Sequence, residues 1–431
     1  MRTSTFLGPA LVVAASAQSA LAWGAAGHEI AATIAQMHLH PSVLPQLCTI
    51  LAWNSDFNEF PSSSDAAAPS CHIATIAAWA DKIRFRKRWS AGLHYVGAVG
   101  DHPSSTCLFP GTSGWAGRDH INVLGGIRNT TEILSGWRYS VKNGARPNIE
   151  VMDEALRFLV HFMGDVHMPL HLTGRDRGGN GDKVLFDGRQ TNLHSLWDGL
   201  LIAKSLRTIP RNYTVPLPLP AVERHLRGAI YDPYIRRIIH EGILGRWEGE
   251  IDSWFDCPAT STSNNVNSDE KGAQVTMGTQ VGGSDEDTDL ICPFAWAQPI
   301  HALNCAFVWP KQLDEPPYNG QPSSSHAHSE DEHEDCGCSK SSLEEDLNLI
   351  SREKIGFIPR PYALSSNGFI NPPPHPPLLE LDTPEYTGYI AKNFVVEKLL
   401  AQAGIRMAGV LNYLFADDDD EVVGVRAVLE I

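Results

Sequence analysis

The sequence predicts an all-α fold, and two observations carry that prediction. Apolar residues recur at helical spacing in six stretches, Ile30–Leu51, Ile73–Trp89, Ile121–Trp137, Glu150–Leu170, Val222–Trp254 and Pro293–Trp309. Alternation with period two is confined to Lys183–Asp187 and Ala91–Val99, which read as short extended pieces. A Pro-rich linker, Asn371–Pro377, then leads into a last amphipathic helix from about Tyr386 to Phe415, expected to pack back on the bundle. The chain has 431 residues, 42% of them hydrophobic, enough to bury a large core, and no internal repeat divides it. The expected organisation is one domain, residues 23–415.

Three segments lie outside that pattern. Pro258–Asp289 is rich in Ser, Asn, Gly and acid, and Lys311–Glu345 in Pro, Ser, His and acid, so both read as loosely held insertions (258–289 and 311–345). Residues 416–431 read as an acidic tail. The formal charge of -16 argues against a protein that holds nucleic acid by bulk attraction. Much of the acid, however, sits in Asp285–Asp287, Ser329–Asp335, Glu344–Asp346 and Asp417–Glu421, so the total says little about any site.

At the start, Arg2 precedes an apolar stretch, Phe6–Ala15, and then Ala20-Leu21-Ala22. A basic end, a short apolar run and a small-x-small motif predict a signal peptide over residues 1–22, with Trp23 as the mature N-terminus. The run is too short to span a membrane, and no later segment supplies a span. A secreted chain suits eight cysteines. Cys48 with Cys71, and Cys257 with Cys292, read as local staples, and Cys107 with Cys305 as a long-range link. Spacing does not fix connectivity, and Cys336 and Cys338 either pair with each other or stay free. Sequons at Asn129 and Asn212 are expected glycosylation sites.

The chemistry is densest between Glu154 and Asp198. His161 and Asp165 are four residues apart on an apolar helix, so they share an inward face. An imidazole and a carboxylate buried there without partners are costly; zinc ligation removes the cost. His171 follows in Met168-Pro169-Leu170-His171, and a second pair at the same spacing, His194 and Asp198, comes next. Two such pairs plus His171 within a short stretch point to metal. Upstream stand Trp23 and His28, then Asp81 in Trp79-Ala80-Asp81-Lys82-Ile83-Arg84, then His94 in Leu93-His94-Tyr95.

In their order these motifs, Trp-x4-His, Trp-Ala-Asp-x2-Arg, Leu-His-Tyr, His-x3-Asp-x5-His and His-x3-Asp, resemble the single-strand-specific nuclease and 3′-nucleotidase family of the S-one/P-one type, within the zinc-dependent phospholipase C superfamily. The resemblance runs from Trp23 to about Trp309 and resumes in the final helix. It implies a compact helical bundle with a cleft holding three zinc ions. Asp81, His94, His161 and Asp165 would hold the first zinc. The amine and carbonyl of Trp23, with His28 and the shared Asp165, would hold the second, and His171, His194 and Asp198 the third. It further implies that Asp81 orients or deprotonates the attacking water, that Arg84 grips the phosphate and that Tyr95 stacks an unpaired base. Substrates would be single-stranded DNA, RNA and 3′-nucleotides, for a monomer with no membrane role.

The chain departs from the family where several members carry an Asp in the base pocket: it has Gly97, which removes an acceptor for base edges. Arg177, ahead of Gly178-Gly179-Asn180, brings a cation toward the cleft, either for phosphate, alongside Asn180, or to pair with Asp176. Two other readings stand beside the nuclease. The phospholipase C branch has a longer spacer after its N-terminal Trp and Glu as last ligand, whereas this chain has the short spacer and Asp198. A non-catalytic secreted metal-binding protein would use His326, His328, His333, Cys336 and Cys338, but all nine zinc-ligand positions are intact.

Overall fold

A computed structural model describes residues 23–51, 71–118, 120–257, 287–288, 290–319 and 377–416. The signal segment, Cys336 and Cys338, nearly all of the first insertion and tail, and the second insertion from 320 on lie outside them. The described chain is mostly helical, with a single two-stranded sheet. None of its helices is long and apolar enough to cross a membrane.

Helix α1 (Ala25–Met37) begins directly after Trp23 and is buried on nearly every side. Its expected continuation to Leu51 is broken at Pro41, which has no N–H to extend the ladder; α2 (Val43–Leu51) starts afresh. The buried Asn412 clamps the turn between them, accepting from His40 N at 2.8 Å and donating to His38 O at 3.1 Å. The stretch Ile73–Trp89 is likewise divided, into a 3-10 turn Ile73–Thr75, α3 (Trp79–Ile83) and a 3-10 turn Arg88–His94. Of the expected extended piece Ala91–Val99, Ala91–His94 is therefore 3-10 instead; extended backbone begins at Tyr95, and Ala98 bridges Trp115.

The central pair matches expectation best. Helix α4 (Val123–Lys142) packs along α5 (Ile149–Asp165), and α5 is capped by the Asn148 side chain accepting from Val151 N. α5 stops at Asp165, short of the expected Leu170, because Pro169 opens a separate 3-10 turn, Pro169–Leu172. After α6 (Asp176–Gly179), strand β1 (Lys183–Phe186) pairs antiparallel with β2 (Arg189–Asn192). The two-residue link Asp187-Gly188 has φ 53° and 68°, the positive values a tight hairpin requires. β2 runs straight into α7 (Leu193–Ser195), a π turn Leu196–Leu200 and α8 (Leu201–Arg207).

The expected helix Val222–Trp254 is instead α9 (Pro220–Glu223), α10 (Asp232–Arg237), a π turn Ile238–Arg246 and a 3-10 turn Asp252–Phe255. Gly228 (φ 75°) and Pro233 supply the break. Helix α11 (Pro293–Leu303) continues as a π turn, Asn304–Val308. Short parts of both expected insertions are among the described residues. Asp287 accepts from Phe294 N and Ala295 N at the start of α11, and Lys311–Asp314 forms a 3-10 turn whose Asp314 binds Arg175. The last helix is two, α12 (Thr387–Lys392) and α13 (Val395–Phe415), parted by Phe394 at φ 54°. α13 packs back on α1 and α5. A Cβ on Gly404 would lie 2.6 Å from Ile34 Cγ2, so only glycine allows the α1–α13 approach. Disulfides Cys48–Cys71, Cys107–Cys305 and Cys257–Cys292 tie the helices.

Candidate metal centre

Seven elements deliver side chains to one buried region. His28 comes from the first turns of α1, Asp81 from α3 and His94 from the end of the Arg88–His94 turn. His161 and Asp165 come from α5, His171 from the Pro169–Leu172 turn, His194 from α7 and Asp198 from the π turn after it. All are buried. Trp23 is fully buried too, and Gly24 N donates to Asp198 O at 2.9 Å, which pins the start of α1 against the Asp198 turn.

Asp165 is the hub. One of its oxygens lies 3.3 Å from His28 Nε2 and 3.5 Å from His171 Nδ1; the other lies 3.0 Å from His94 Nδ1 and 3.3 Å from His161 Nε2. Asp81 closes the near side, its Oδ1 at 3.7 Å from His161 Nε2 and 3.9 Å from His94 Nδ1. His194 Nε2 faces Asp198 Oδ2 at 3.1 Å, and the His171 and His194 rings stack at 5.2 Å. Three ligand sets result, each with its donor atoms within 4.8 Å: His28, His161 and Asp165; Asp81, His94 and His161; and His171, His194 and Asp198. A fourth grouping, Asp101, Cys107 and His301, is not comparable, because Cys107 is bonded to Cys305.

The donor set fits a metal cation. His161 Nδ1 donates to Ala77 O at 2.7 Å, His171 Nδ1 to His94 O at 2.7 Å and His194 Nδ1 to Gly178 O at 2.8 Å. Each bond fixes the tautomer that leaves Nε2 as a lone pair, the second-layer pattern of metal-bound histidine. Both oxygens of Asp81 and of Asp198, Nε2 of His28 and of His94, and Asp165 Oδ1 are buried without a hydrogen bond of acceptable geometry. Such orphans cost about 1–3 kcal/mol each unless a ligand takes them.

The electrostatics agree. Burial lowers His161 to about 4 and His171 to about 3, so both are neutral at pH 7 and need lose no proton to bind metal. Burial alone would raise Asp165, but His161 and His171, with the nearby His28 and a hydrogen bond from His94, outweigh it and hold the carboxylate well below its usual range. Burial raises Asp81, with His161 opposing and Asp165 adding to the rise. Arg84, half-buried one turn after Asp81, bears on both Asp81 and Asp198 with its charge.

Around this centre, Tyr95 is 49% exposed and thus not core packing. Arg177 is exposed, in a left-handed turn (φ 57°) closed by Asn180 Nδ2 donating to Arg177 O at 2.8 Å. Arg175, not Arg177, reaches Asp176. Gly97 abuts Gly174: a Cβ there would stand 2.8 Å from Gly174 N, so no side chain fits. Asn129 is exposed in the middle of α4, and Asn212 in the turn Arg211–Thr214. Sequence reasoning missed the carbonyls of Ala77, His94 and Gly178. It also missed Gly164, where a Cβ would lie 2.4 Å from His28 Nδ1. A glycine inside His161-Phe162-Met163-Gly164-Asp165, between two candidate ligands on one helix and otherwise unfavourable there, was the available signal.

A helical protein whose buried carboxylates and histidines converge in this way has the donor set of the class that builds a metal centre between helices. The particular family follows from comparison. The S1/P1 Nuclease family profile matches residues 23–321, and the chain belongs to that family. It is similar to Nuclease P1 of Penicillium citrinum, 36% identical over 183 residues, covering 41% of this chain and 57% of that protein. Nuclease S1 of Aspergillus oryzae is 32% identical over 188 residues (43% and 56%), and Endonuclease 4 of Arabidopsis thaliana 28% over 264 residues (59% and 74%). The chain spans little more than half the length of the first two.

Proposed function

We propose that the protein is a secreted, monomeric, zinc-dependent endonuclease that cuts single-stranded DNA and RNA to 5′-phosphorylated products and removes phosphate from 3′-nucleotides. The observation that carries this reading is the gathering of three ligand sets around Asp165, whose oxygens approach a histidine of each, with His161, His171 and His194 held as Nε2 donors. Asp81, His94, His161 and Asp165 would hold one zinc; the amine and carbonyl of Trp23, with His28 and Asp165, a second; His171, His194 and Asp198 a third. Zinc held there supplies Lewis acidity toward phosphoryl oxygen and brings the pKa of water near neutrality.

The side chains do the rest. Asp81 would orient the water that adds to phosphorus or take one of its protons; as the P–O3′ bond breaks, O3′ takes up a proton in exchange, leaving a 3′-hydroxyl and a 5′-phosphate. Arg84 grips the non-bridging oxygens as a fork. Tyr95 offers its exposed ring to a base, which stacks only when unpaired. Arg177 and Asn180 contact the flanking phosphate. Residues 1–22 direct secretion, and 23–415 form one domain glycosylated at Asn129 and Asn212. The test is hydrolysis of matched single-stranded and duplex DNA, with and without a chelator. Single-strand cleavage that stops with chelator and returns with zinc supports the reading; equal rates on both substrates, or activity unaffected by chelator, overturn it.

A further inference from the structure

Against a net charge of -16, the segment Lys82-Ile83-Arg84-Phe85-Arg86-Lys87-Arg88-Trp89 places five of the chain's 34 Lys and Arg residues in eight positions, without an acid among them. Phe85 and Trp89 alternate with these cations and are 62% and 59% exposed. The Arg84 guanidinium lies 5.3 Å over the Phe85 ring, and Lys87 Nζ 6.0 Å over Trp89, so cations and rings form one surface. Lys87 is also paired with Glu154. Lys82 and Arg86 are exposed and make no ion pair with any described residue. Trp89 further walls a cavity of about 210 Å³ with Leu93, Phe158 and Phe162.

Position gives the patch its meaning. The segment starts one residue after Asp81 and ends five residues before His94, so both of its ends are rooted in the metal centre. Its inner cation, Arg84, bears on Asp81 and Asp198; Arg86 and Trp89 lie farther along toward solvent. Phe162, at the back of the cavity, meets the His94 ring edge-on at 5.5 Å. A strand whose phosphate sits in the metal centre has to leave it, and here the exit is cationic and aromatic.

We propose that residues 82–89 form a track for the single strand beyond the phosphate being cut, with Lys82 and Arg86 on its phosphates and Phe85 and Trp89 under its unpaired bases. The proposal rests on the nuclease reading and deepens it: the chain favours polymeric single strands over mononucleotides and dinucleotides, which are too short to reach the track. Stacking tolerates any base, which suits a chain whose Gly97 offers no side chain to read one. Anionic lipid headgroups would also attract cations and aromatics, but they give no reason for the patch to begin at Asp81.

The experiment uses the mature holoenzyme, a twelve-nucleotide oligothymidylate, its phosphorothioate form labelled with fluorescein for anisotropy, and a thymidine dinucleotide. Lys82→Gln/Arg86→Gln should raise KM on the twelve-mer about tenfold, leave kcat/KM on the dinucleotide within about twofold, and lower the salt slope of binding by about 1.4, roughly 0.7 for each phosphate deprived of its cation. Lys82→Arg/Arg86→Lys should restore both values, and Phe85→Ala should weaken twelve-mer binding about tenfold. Loss on both substrates alike, or on neither, overturns the track. So do variants that lose binding to phosphatidylserine vesicles while still binding the twelve-mer. If the wild type cuts neither substrate, the nuclease reading fails; anisotropy that still falls in the variants then upholds the track alone.

Discussion

Gly164→Ala tests the metal centre without touching a ligand. The added Cβ would stand 2.4 Å from His28 Nδ1 and 2.8 Å from Cε1, separations that packed atoms do not tolerate. The ring cannot simply swing aside, because it is 1% exposed and stacked on His161 at 3.9 Å. It must recede by roughly one ångström or shift α5, and either motion opens its 3.3 Å approach to Asp165. Two effects on stability compete: overpacking costs about 1–3 kcal/mol, and replacing a glycine in the last turn of a helix by alanine returns at most about 1 kcal/mol. Net destabilisation is therefore small, so the fold survives. Metal retention should suffer more, about 10- to 100-fold, as when an outer-layer partner of a ligand is removed. The assay is elemental analysis after dialysis against graded chelator, beside thermal denaturation and turnover on a short single strand. Gly136→Ala is the control: its Cβ would meet nothing nearer than Met152 Cε at 3.9 Å in α4, so it should keep full metal and gain stability. Gly164→Ala with the metal affinity and turnover of wild type would refute the placement of His28 in the centre.

Acid should destabilise the fold through histidines remote from the chemistry. Burial lowers His38 to about 4, His72 to about 3 and His225 to about 4, while in the unfolded chain each takes its proton near 6.5. The unfolded state thus binds more protons in that window, so stability is full above pH 6.5 and falls toward pH 4, by up to about 4 kcal/mol per pH unit for three groups. Urea midpoints from pH 7.5 to 4.5 measure it, and His72→Gln should lower the slope by up to about 1.4 kcal/mol per pH unit; a flat wild-type profile contradicts neutral burial. At the N-terminus, one extra residue ahead of Trp23 turns its amine into an amide, a poor zinc ligand. That protein should fold but lose about one zinc and most turnover; equal zinc and rate, with both termini checked by mass spectrometry, would make Trp23 an ordinary buried aromatic.

Much of the centre was legible because its residues follow helical arithmetic. His161 and Asp165 declare a shared face by spacing, and α5 then places them 3.3 Å apart. His194 and Asp198 have the same spacing, yet they straddle α7 and a π turn, a backbone that spacing does not report. Elements went astray where local chemistry overrides apolar period. Pro41 divides α1 from α2, Pro169 stops α5 early, and Gly228 with Pro233 dismantles the supposed helix Val222–Trp254. Period also hid the Asp187-Gly188 hairpin partner, because β2 (Arg-Gln-Thr-Asn) has no apolar face to alternate. The carbonyls that orient the histidines were invisible for a different reason. Ala77 and His161 are 84 residues apart, and a backbone acceptor leaves no mark on residue type.

The buried charges also constrain how the fold and its cation depend on each other. Asp81, Asp165 and Asp198 are each at most 4% exposed, and His161 and His171 beside them are neutral at pH 7. Arg84 is the fixed cation that bears on the group, and it is itself half-buried at the rim. Three carboxylates gathered in a low-dielectric interior cost several kcal/mol apiece without a counter-charge. Metal held at Asp165 would remove that cost, so its binding energy would be partly folding energy. The elements that meet there, α1, α3, the Arg88–His94 turn, α5, the Pro169–Leu172 turn, α7 and the π turn Leu196–Leu200, are drawn from separate parts of the chain. Chelation should therefore loosen the junction of all seven rather than one loop, and hydrogen exchange would rise at Gly24 N, whose bond to Asp198 O ties the first element to the last.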